Sequence, residues 1–414
     1  MARTTTSPPR LDTGVGALLV RTGHPRWDYG ALATARSLGS CGVTVHVLAD
    51  RNEPELLRSR FVRSVVGPVL DPATPPEAAA TRLNQVAERI GRPVLTIAGD
   101  DESAVLLAEQ RSLLDPRLLT FDMPEDLPRR LSSKSSLAGI CRDAGIDYPE
   151  AVTTTDADEL LAFAERVGFP VIVKAPEPFA RLHESDVMRT QVVESAADLT
   201  ALAARWPAGR PLLAQQYLAS ERFQFWYAAG LAGASTPAWH AFTGRKEVAY
   251  PTGTGIGIYS VAARNPELAA ATHDLADSIG FRGPFDSDWA VDTATGQRWL
   301  IDFNPRRGAQ FRLFTTDTGI DLMRAAHLAI TGNPIPWGAP TVPRSHSVGN
   351  LDLLVARQWW AAKKSAGDPP NEGAWWWRRD PAPGVAMAAS FVAAAGRKAL
   401  KAGGLIRDRS AHQP

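Results

Sequence analysis

Two short runs of the sequence place acidic or amide residues at alternate positions among apolar ones. They are Phe285-Asp286-Ser287-Asp288-Trp289-Ala290-Val291-Asp292 and Trp299-Leu300-Ile301-Asp302-Phe303-Asn304-Pro305-Arg306. The turn Asp292-Thr293-Ala294-Thr295-Gly296 separates them, so the pair reads as a two-stranded hairpin. Side chains alternate faces along a strand; Asp288 therefore shares a face with Ala290, and Asp302 with Asn304. If the strands pair, Asp288, Asp302 and Asn304 converge, and hard oxygen donors of this kind suit Mg²⁺ completed by phosphate oxygens and water. The other reading has all three facing solvent at sheet edges or turns. Asp292 fits a turn better than a metal site.

Cations stand at positions suited to phosphate. Lys134 lies near the start of a helix, and Lys174 ends the apolar strand Phe169-Pro170-Val171-Ile172-Val173-Lys174. A lysine at the end of a buried strand reaches out where ligands bind in open sheets. The strand Leu212-Leu213-Ala214-Gln215-Gln216-Tyr217-Leu218 can offer backbone groups to an adenine edge, with Glu221 beyond it for ribose hydroxyls. The loop from Arg245 and Lys246 through Thr252-Gly253-Thr254-Gly255-Ile256-Gly257 places two cations before alternating glycines. It suits a triphosphate or acyl phosphate, or else it is a hairpin with a solvated charge cluster. Arg306 and Arg307 are further candidates.

The elements that must position these groups fall into an α/β and an α+β part. Over residues 1–120, short apolar runs alternate with helical patterns (Gly16–Val20, Tyr29–Leu38, Val43–Leu48, Pro75–Ile90, Val94–Ala98), implying a parallel sheet. A helix at Leu131–Cys141 ends at the Gly145-to-Pro149 turn; a helix at Asp156–Val167 and strands at Val171–Lys174 and Thr190–Val193 follow, then a helix at Ala196–Ala204. Longer strands come next at Leu212–Tyr217, Gln224–Ala229 and Ala238–Phe242, then a helix at Pro266–Ile279 and the acidic hairpin. Pro334, Pro336, Pro340 and Pro343 mark a linker.

These elements, in this order, resemble the ATP-grasp superfamily over roughly residues 15–335. The residues that carry the likeness are Lys134 with Gly145 and Pro149, Lys174 after Phe-Pro, the Gln215–Leu218 strand, and Asp288, Asp302, Asn304 and Arg306. The segments Ala33–Gly39, Leu48–Asp50, Ser59–Val62 and Ile97–Glu102 are similar to carboxylate-amine ligases related to D-aspartate ligase. The resemblance implies an N-terminal parallel-sheet domain (1–120), a small nucleotide-binding subdomain (121–215), a second subdomain with the metal site (216–335) and a basic C-terminal extension (336–414). It implies ATP held by Lys134, Lys174, Gln215, Gln216, Tyr217, Leu218 and Glu221. Mg²⁺, as one or two ions that Mn²⁺ can replace, would sit on Asp288, Asp302 and Asn304, with Lys246 and Arg306 as catalytic cations. The implied reaction joins a carboxylate to an amine through an acyl phosphate, on small or precursor-linked substrates. Three departures stand out: Asp302 where Glu is common, Gln216 where an acid is common, and the lack of glycines in Glu177–Val187, which leaves Arg181, His183 and Arg189 as substitutes. The first two keep open a nucleotide-binding protein with altered catalysis. A dinucleotide-dependent oxidoreductase is the weaker alternative, because the turn holding Gly23 and His24 lacks Gly-x-Gly-x-x-Gly, leaving Asp50 as a strand-end residue.

The composition bounds the rest. In 414 residues, 45 Lys plus Arg face 44 Asp plus Glu, which argues against a nucleic-acid binder. Cys41 and Cys141 are isolated, as in a reducing cytoplasm, and no secretory pattern opens the chain. The charge is skewed, with eleven Lys or Arg against five Asp or Glu in residues 343–414, where five of the twelve tryptophans also lie. Either those tryptophans pack on the body, or Trp375–Trp377 and the helix ahead of Arg397, Lys398 and Lys401 touch an anionic membrane. The apolar segment Val385–Ala395 is too short to span one. A homodimer is compatible with all of this.

Overall fold

The computed structural model describes residues 9–23, 28–176, 190–207, 209–250, 255–351 and 355–402. Arg181, His183, Arg189 and His24, and the Thr252–Thr254 part of the glycine loop, lie outside them.

The first sheet joins β1 (Gly16–Val20), β2 (Val45–Leu48), β3 (Val62–Gly67), β4 (Val94–Ala98) and β5 (Leu118–Leu119) in the order β3-β2-β1-β4-β5. Every pairing is parallel, as the alternation of elements requires. β1 is wholly buried because helices cover both sheet faces, which is why it reads as an unbroken apolar run. The helix Asp101–Glu109 after β4 opens on a reciprocal cap, with Asp100 and Ser103 each satisfying the other's backbone N–H.

The second sheet is antiparallel and holds β6 (Ala151–Thr154), β7 (Val171–Lys174), β8 (Gln191–Val193) and β9 (Leu212–Gln216) in the order β6-β9-β7-β8. Leu160, Phe163 and Leu199 from two helices close its core. The third sheet has seven strands: β10 (Phe223–Ala232), β11 (Phe242–Tyr250), β12 (Ile256–Ala262), β13 (Gly283–Asp292), β14 (Arg298–Asn304), β15 (Arg344–Ser347) and β16 (Asn371–Gly373). Their order is β14-β13-β10-β11-β12-β15-β16.

Three expectations need correction. The strand expected at Ala238–Phe242 is instead β11, beginning at Phe242 after a turn in which His240 takes φ 59°. Arg245 and Lys246 therefore sit on a strand rather than in a loop. The helix expected at Leu131–Cys141 is two helices, Leu127–Ser132 and Lys134–Asp143, divided at Ser133, whose backbone is extended.

The start of the basic tail is part of the body, since β15 pairs with β12 and extends the large sheet. Trp375 is 1% exposed and its indole N–H donates to Asn350 Oδ1. Arg36, on the helix Tyr29–Gly39, forms a 2.9 Å ion pair with Asp380, both side chains 1% exposed. It also donates to the carbonyls of Ala374 and Trp375 at 3.0 and 2.7 Å. Ser59 Oγ and the Arg60 N–H complete the shell of Asp380. Trp360 and Trp376 remain exposed. Among the described residues no helix is long and apolar enough to cross a membrane.

A buried pair satisfied on all sides is costly to halve. Arg36→Met should destabilise the fold by about 3–5 kcal/mol in urea titration. A loss within experimental error would show that the tail does not lock the N-terminal sheet.

Candidate functional site

The β13–β14 register sets the geometry. Asp288 lies directly opposite Asp302, and Asp286 opposite Asn304, before the register shifts at Trp289. All four therefore project from one sheet face, and Tyr227 on β10 stands beside Asp288. That face forms the floor of a cleft of about 980 Å³. Lys174, Gln215, Gln216, Tyr217, Leu218, Lys246, Asp288, Asp302, Asn304 and Arg306 all line it. One cleft thus gathers residues far apart in sequence, from Tyr29 through Lys174 and Arg306 to Gln358.

Cations from separate elements meet the carboxylates. Lys134 Nζ lies 2.7 Å from Asp302 Oδ1, and Lys246 Nζ 3.1 Å from Asp288 Oδ1. Lys246 also stands 5.0 Å from the Tyr227 ring centre. Lys174 Nζ donates to Gln215 Oε1 at 3.1 Å. Arg306 Nη2 donates to Asn304 Oδ1 at 3.1 Å, while its Nε lies 3.0 Å from Asp101 Oδ1 at the end of the parallel sheet. The site is thereby tied to both large sheets.

The protonation states follow from this. Burial opposes the charge on Asp302, but Lys134, Lys174 and Arg306 outweigh it and hold its carboxyl below the ordinary range. Burial likewise opposes the charge on Lys134 and Lys246, and their aspartate partners outweigh it. Asp286 differs. Burial and then the Asp288 charge push its carboxyl up to about 8, against partial opposition from Arg306 and Lys246. Burial raises Tyr227 to about 12, so its phenol stays neutral.

Four expected site residues do not line the cleft: Glu221, Arg245, Lys134 and Arg307, the last of which is buried. Glu221 is exposed in the turn between β9 and β10, whose Tyr217, Leu218 and Ser220 reach the wall while Glu221 does not. Arg245 does not line the cleft beside Lys246; it forms a 2.9 Å ion pair with Glu247, which does. Lys134 acts on the site through Asp302 rather than as a wall residue. Sequence reasoning passed over Asp286, although the two-residue spacing from Asp288 marks it for the same face.

The donor set suits a hard cation shared with phosphate oxygens, since Asp288, Asp302 and Asn304 offer two carboxylates and an amide on one face. Among the described residues no three His, Cys, Asp or Glu side chains cluster closely enough to hold a metal without such help.

No protein-family model matches the sequence. Solved structures do. N5-carboxyaminoimidazole synthetase from Staphylococcus aureus, complexed with ADP, aligns at TM-score 0.58 and 16% identity, over 83% of this chain and 85% of that one. The chain has the ATP-grasp fold. An L-amino acid ligase from Bacillus licheniformis aligns with this ATP-grasp chain at TM-score 0.55 and 14% identity, over 76% and 74% of the two chains. The biotin carboxylase domain of a Hydrogenobacter thermophilus 2-oxoglutarate carboxylase, in complex with MgADP, ADP and bicarbonate, aligns at TM-score 0.54 and 14% identity, over 78% and 71%.

In this cleft the Lys134–Asp302 pair gives a direct test. A carboxyl held low contributes stability above its unfolded-state value, and that contribution is lost as pH falls through the lowered folded value. Lys134→Met should raise the Asp302 carboxyl in a carbon-13 NMR titration and make the folded protein more sensitive to mild acid. An unchanged Asp302 titration would show that the pair does not set its ionisation.

Proposed function

We propose that the protein is an ATP-dependent ligase that joins a carboxylate to an amine through an acyl phosphate. One observation carries this reading: a single cleft unites the Gln215–Leu218 strand, Lys174 and Lys246 with an acidic face ending in Asn304 and Arg306. Gln215 to Leu218 supply the adenine edge, and Lys174 and Arg306 meet phosphate oxygens. Mg²⁺ would be held by Asp288, Asp302 and Asn304, and when bound it supplies Lewis-acid polarisation of phosphate oxygens. Without nucleotide, Lys134 and Lys246 neutralise the two aspartates; a triphosphate offers them competing oxygens.

Phosphoryl transfer needs positioning and charge neutralisation more than a side-chain nucleophile, which fits a cleft rich in Lys, Arg and Asp. A carboxylate oxygen of one substrate attacks the γ-phosphorus, and the bond to the β-phosphate oxygen breaks to release ADP. The amine nitrogen of the second substrate then attacks the acyl carbon, phosphate leaves, and the nitrogen loses a proton as the amide forms. Lys246 and Arg306 stabilise the charge on the transferring phosphoryl group and the departing phosphate. The ligase and carboxylase names of the structural neighbours support an ATP-dependent, carboxylate-activating reaction.

ADP release measured against panels of carboxylates and amino acids tests the assignment. Productive pairs should give stoichiometric ADP, phosphate and amide. Asp302→Ala should fold, as judged by circular dichroism, yet lose roughly 100-fold or more in turnover. Wild-type-like turnover in that variant would overturn the reading.

A further inference from the structure

The parallel sheet has a topological switch point. In the order β3-β2-β1-β4-β5 the chain leaves β1 towards β2 on one side and β4 towards β5 on the other, so the carboxyl ends of β1 and β4 flank a crevice. Ligands of open α/β sheets bind in crevices of this kind. Three guanidinium groups come together at this edge, where the charges of Arg21 and Arg306 both act on Arg307. They are not equivalent. Arg21, just after β1, pairs with Asp28 at 2.9 Å and with Glu53 at 2.6 Å. Arg306 has Asp101 at 3.0 Å and donates to Asn304. Arg307 is 2% exposed and has no acid within ion-pair distance among the described residues; its Nε and Nη2 are buried without a hydrogen-bond partner. The charges of Asp28 and Asp100 reach it, but both carboxylates are engaged elsewhere. Asp28 holds Arg21 and the Ala31 N–H, and Asp100 holds the Thr22 and Ser103 N–H groups.

The seat of Arg307 adds to the imbalance. A Cβ on Gly30 would stand 2.5 Å from Arg307 Nη1 and 3.0 Å from Ala309 Cα. The guanidinium therefore rests on the first turn of the helix Tyr29–Gly39, at the positive end of that helix. A cation at this end gains nothing from the helix until an anion joins it, and helix N-termini are themselves anion sites. A buried, unpaired charge is strongly unfavourable without such a ligand. Tyr29, Arg306 and Ala309 all line the cleft, so Arg307 stands just behind the wall that they form.

We propose that Arg307 anchors an anionic group, a carboxylate or a phosphate, carried by the acceptor amine. This deepens the ligase reading above and rests on it. A guanidinium only donates hydrogen bonds and keeps its charge across the working pH range, so its partner is an anion and not a metal ion. The carboxylate to be activated has to reach the nucleotide at the acidic face, whereas Arg307 lies behind the wall towards the parallel sheet. The anion that it holds is therefore one that does not react. An amino acid or a phosphorylated amine carries such a group beside its nucleophilic nitrogen.

Two readouts separate this proposal from the ligase reading. Calorimetry on the full chain loaded with ADP and Mg²⁺ measures binding of amino acids, of the matching carboxamides, which lack the anion, and of O-phosphoethanolamine. ADP release with a panel of carboxylates measures turnover of the same amines. The wild type should bind either the amino acids or O-phosphoethanolamine at least about 30-fold more tightly than the carboxamides, and the preferred class tells carboxylate from phosphate. Arg307→Met should lose that preference, with KM for the anionic amine raised roughly 30-fold and kcat and the donor carboxylate's KM little changed. Arg307→Lys should recover part of it. Because the guanidinium has no partner to lose, Arg307→Met without ligands should melt no lower than the wild type. Equal losses with anionic and uncharged amines would assign Arg307 to the fold and overturn the proposal. A change confined to the donor's KM, or an unchanged KM for the anionic amine, would overturn it too. Binding lost in Arg307→Met while the wild type releases no ADP with any carboxylate would instead overturn the ligase reading and leave the anion subsite standing.

Discussion

Three aspartates projecting from one face of two paired strands repel one another, and a half-buried cleft magnifies that repulsion. The arrangement persists only where cations are delivered to it, and each arrives on a different element. Lys134 comes from a helix start, Lys174 from the small antiparallel sheet, Lys246 from β11 and Arg306 from the exit of β14. Folding the acidic hairpin therefore requires the small sheet, the large sheet and the intervening helices to converge. Arg306 extends the constraint to the parallel sheet by reaching Asp101 at the N-terminus of the helix after β4. The Lys134–Asp302 contact of 2.7 Å also shows that the shorter aspartate side chain still reaches its cation.

Much of this was legible as period-two alternation. That pattern placed Asp288, Asp302 and Asn304 on one face, and the register bears out the shared face. The order of apolar runs gave the parallel sheet for a similar reason: β1 and β4 are buried on both sides and so read as continuous apolar segments. The partners of the charges were not legible. Nothing local to Lys246 points to Asp288, which lies 42 positions away across β10. Arg245 and Lys246 looked equivalent as neighbours, and only their different ion-pair partners in the folded chain separate them. The glycines downstream suggested a loop because glycine weakens strand patterns; Gly257 instead lies in β12, where Tyr227 leaves no space for a side chain.

The basic tail shows the same limit from the other direction. Its composition marked it as separate, whereas β15 and β16 complete the large sheet. Its acidic Glu372 pairs both with Arg344 of the tail and with Arg312 of the body. Trp377 has Arg312 at 4.7 Å and Arg379 at 5.4 Å from its ring centre, and Phe61 packs against it. Tryptophan beside arginine, read along the sequence, suggested an external anionic surface. In three dimensions Arg36 of the first domain also stands 6.0 Å from the Trp377 ring centre, so cationic and aromatic residues of both other domains meet this tail residue.

Those two observations join at the cleft. Tyr29 begins the helix that carries Arg36, touches both Trp375 and His346 of the tail, and lines the cleft near Asp286. The Arg36–Asp380 pair holds the tail against that helix, and the helix in turn fixes where the Tyr29 ring stands. A cleft lined by Tyr29 and by Gln358 is shaped by the first domain and the last segment of the chain together. Its outline therefore depends on contacts between residues more than 300 positions apart, such as Arg36 and Asp380. Local pattern encodes the acidic face, which lies on paired strands; it does not encode the walls around Tyr29 and Gln358, which meet only after the whole chain has closed.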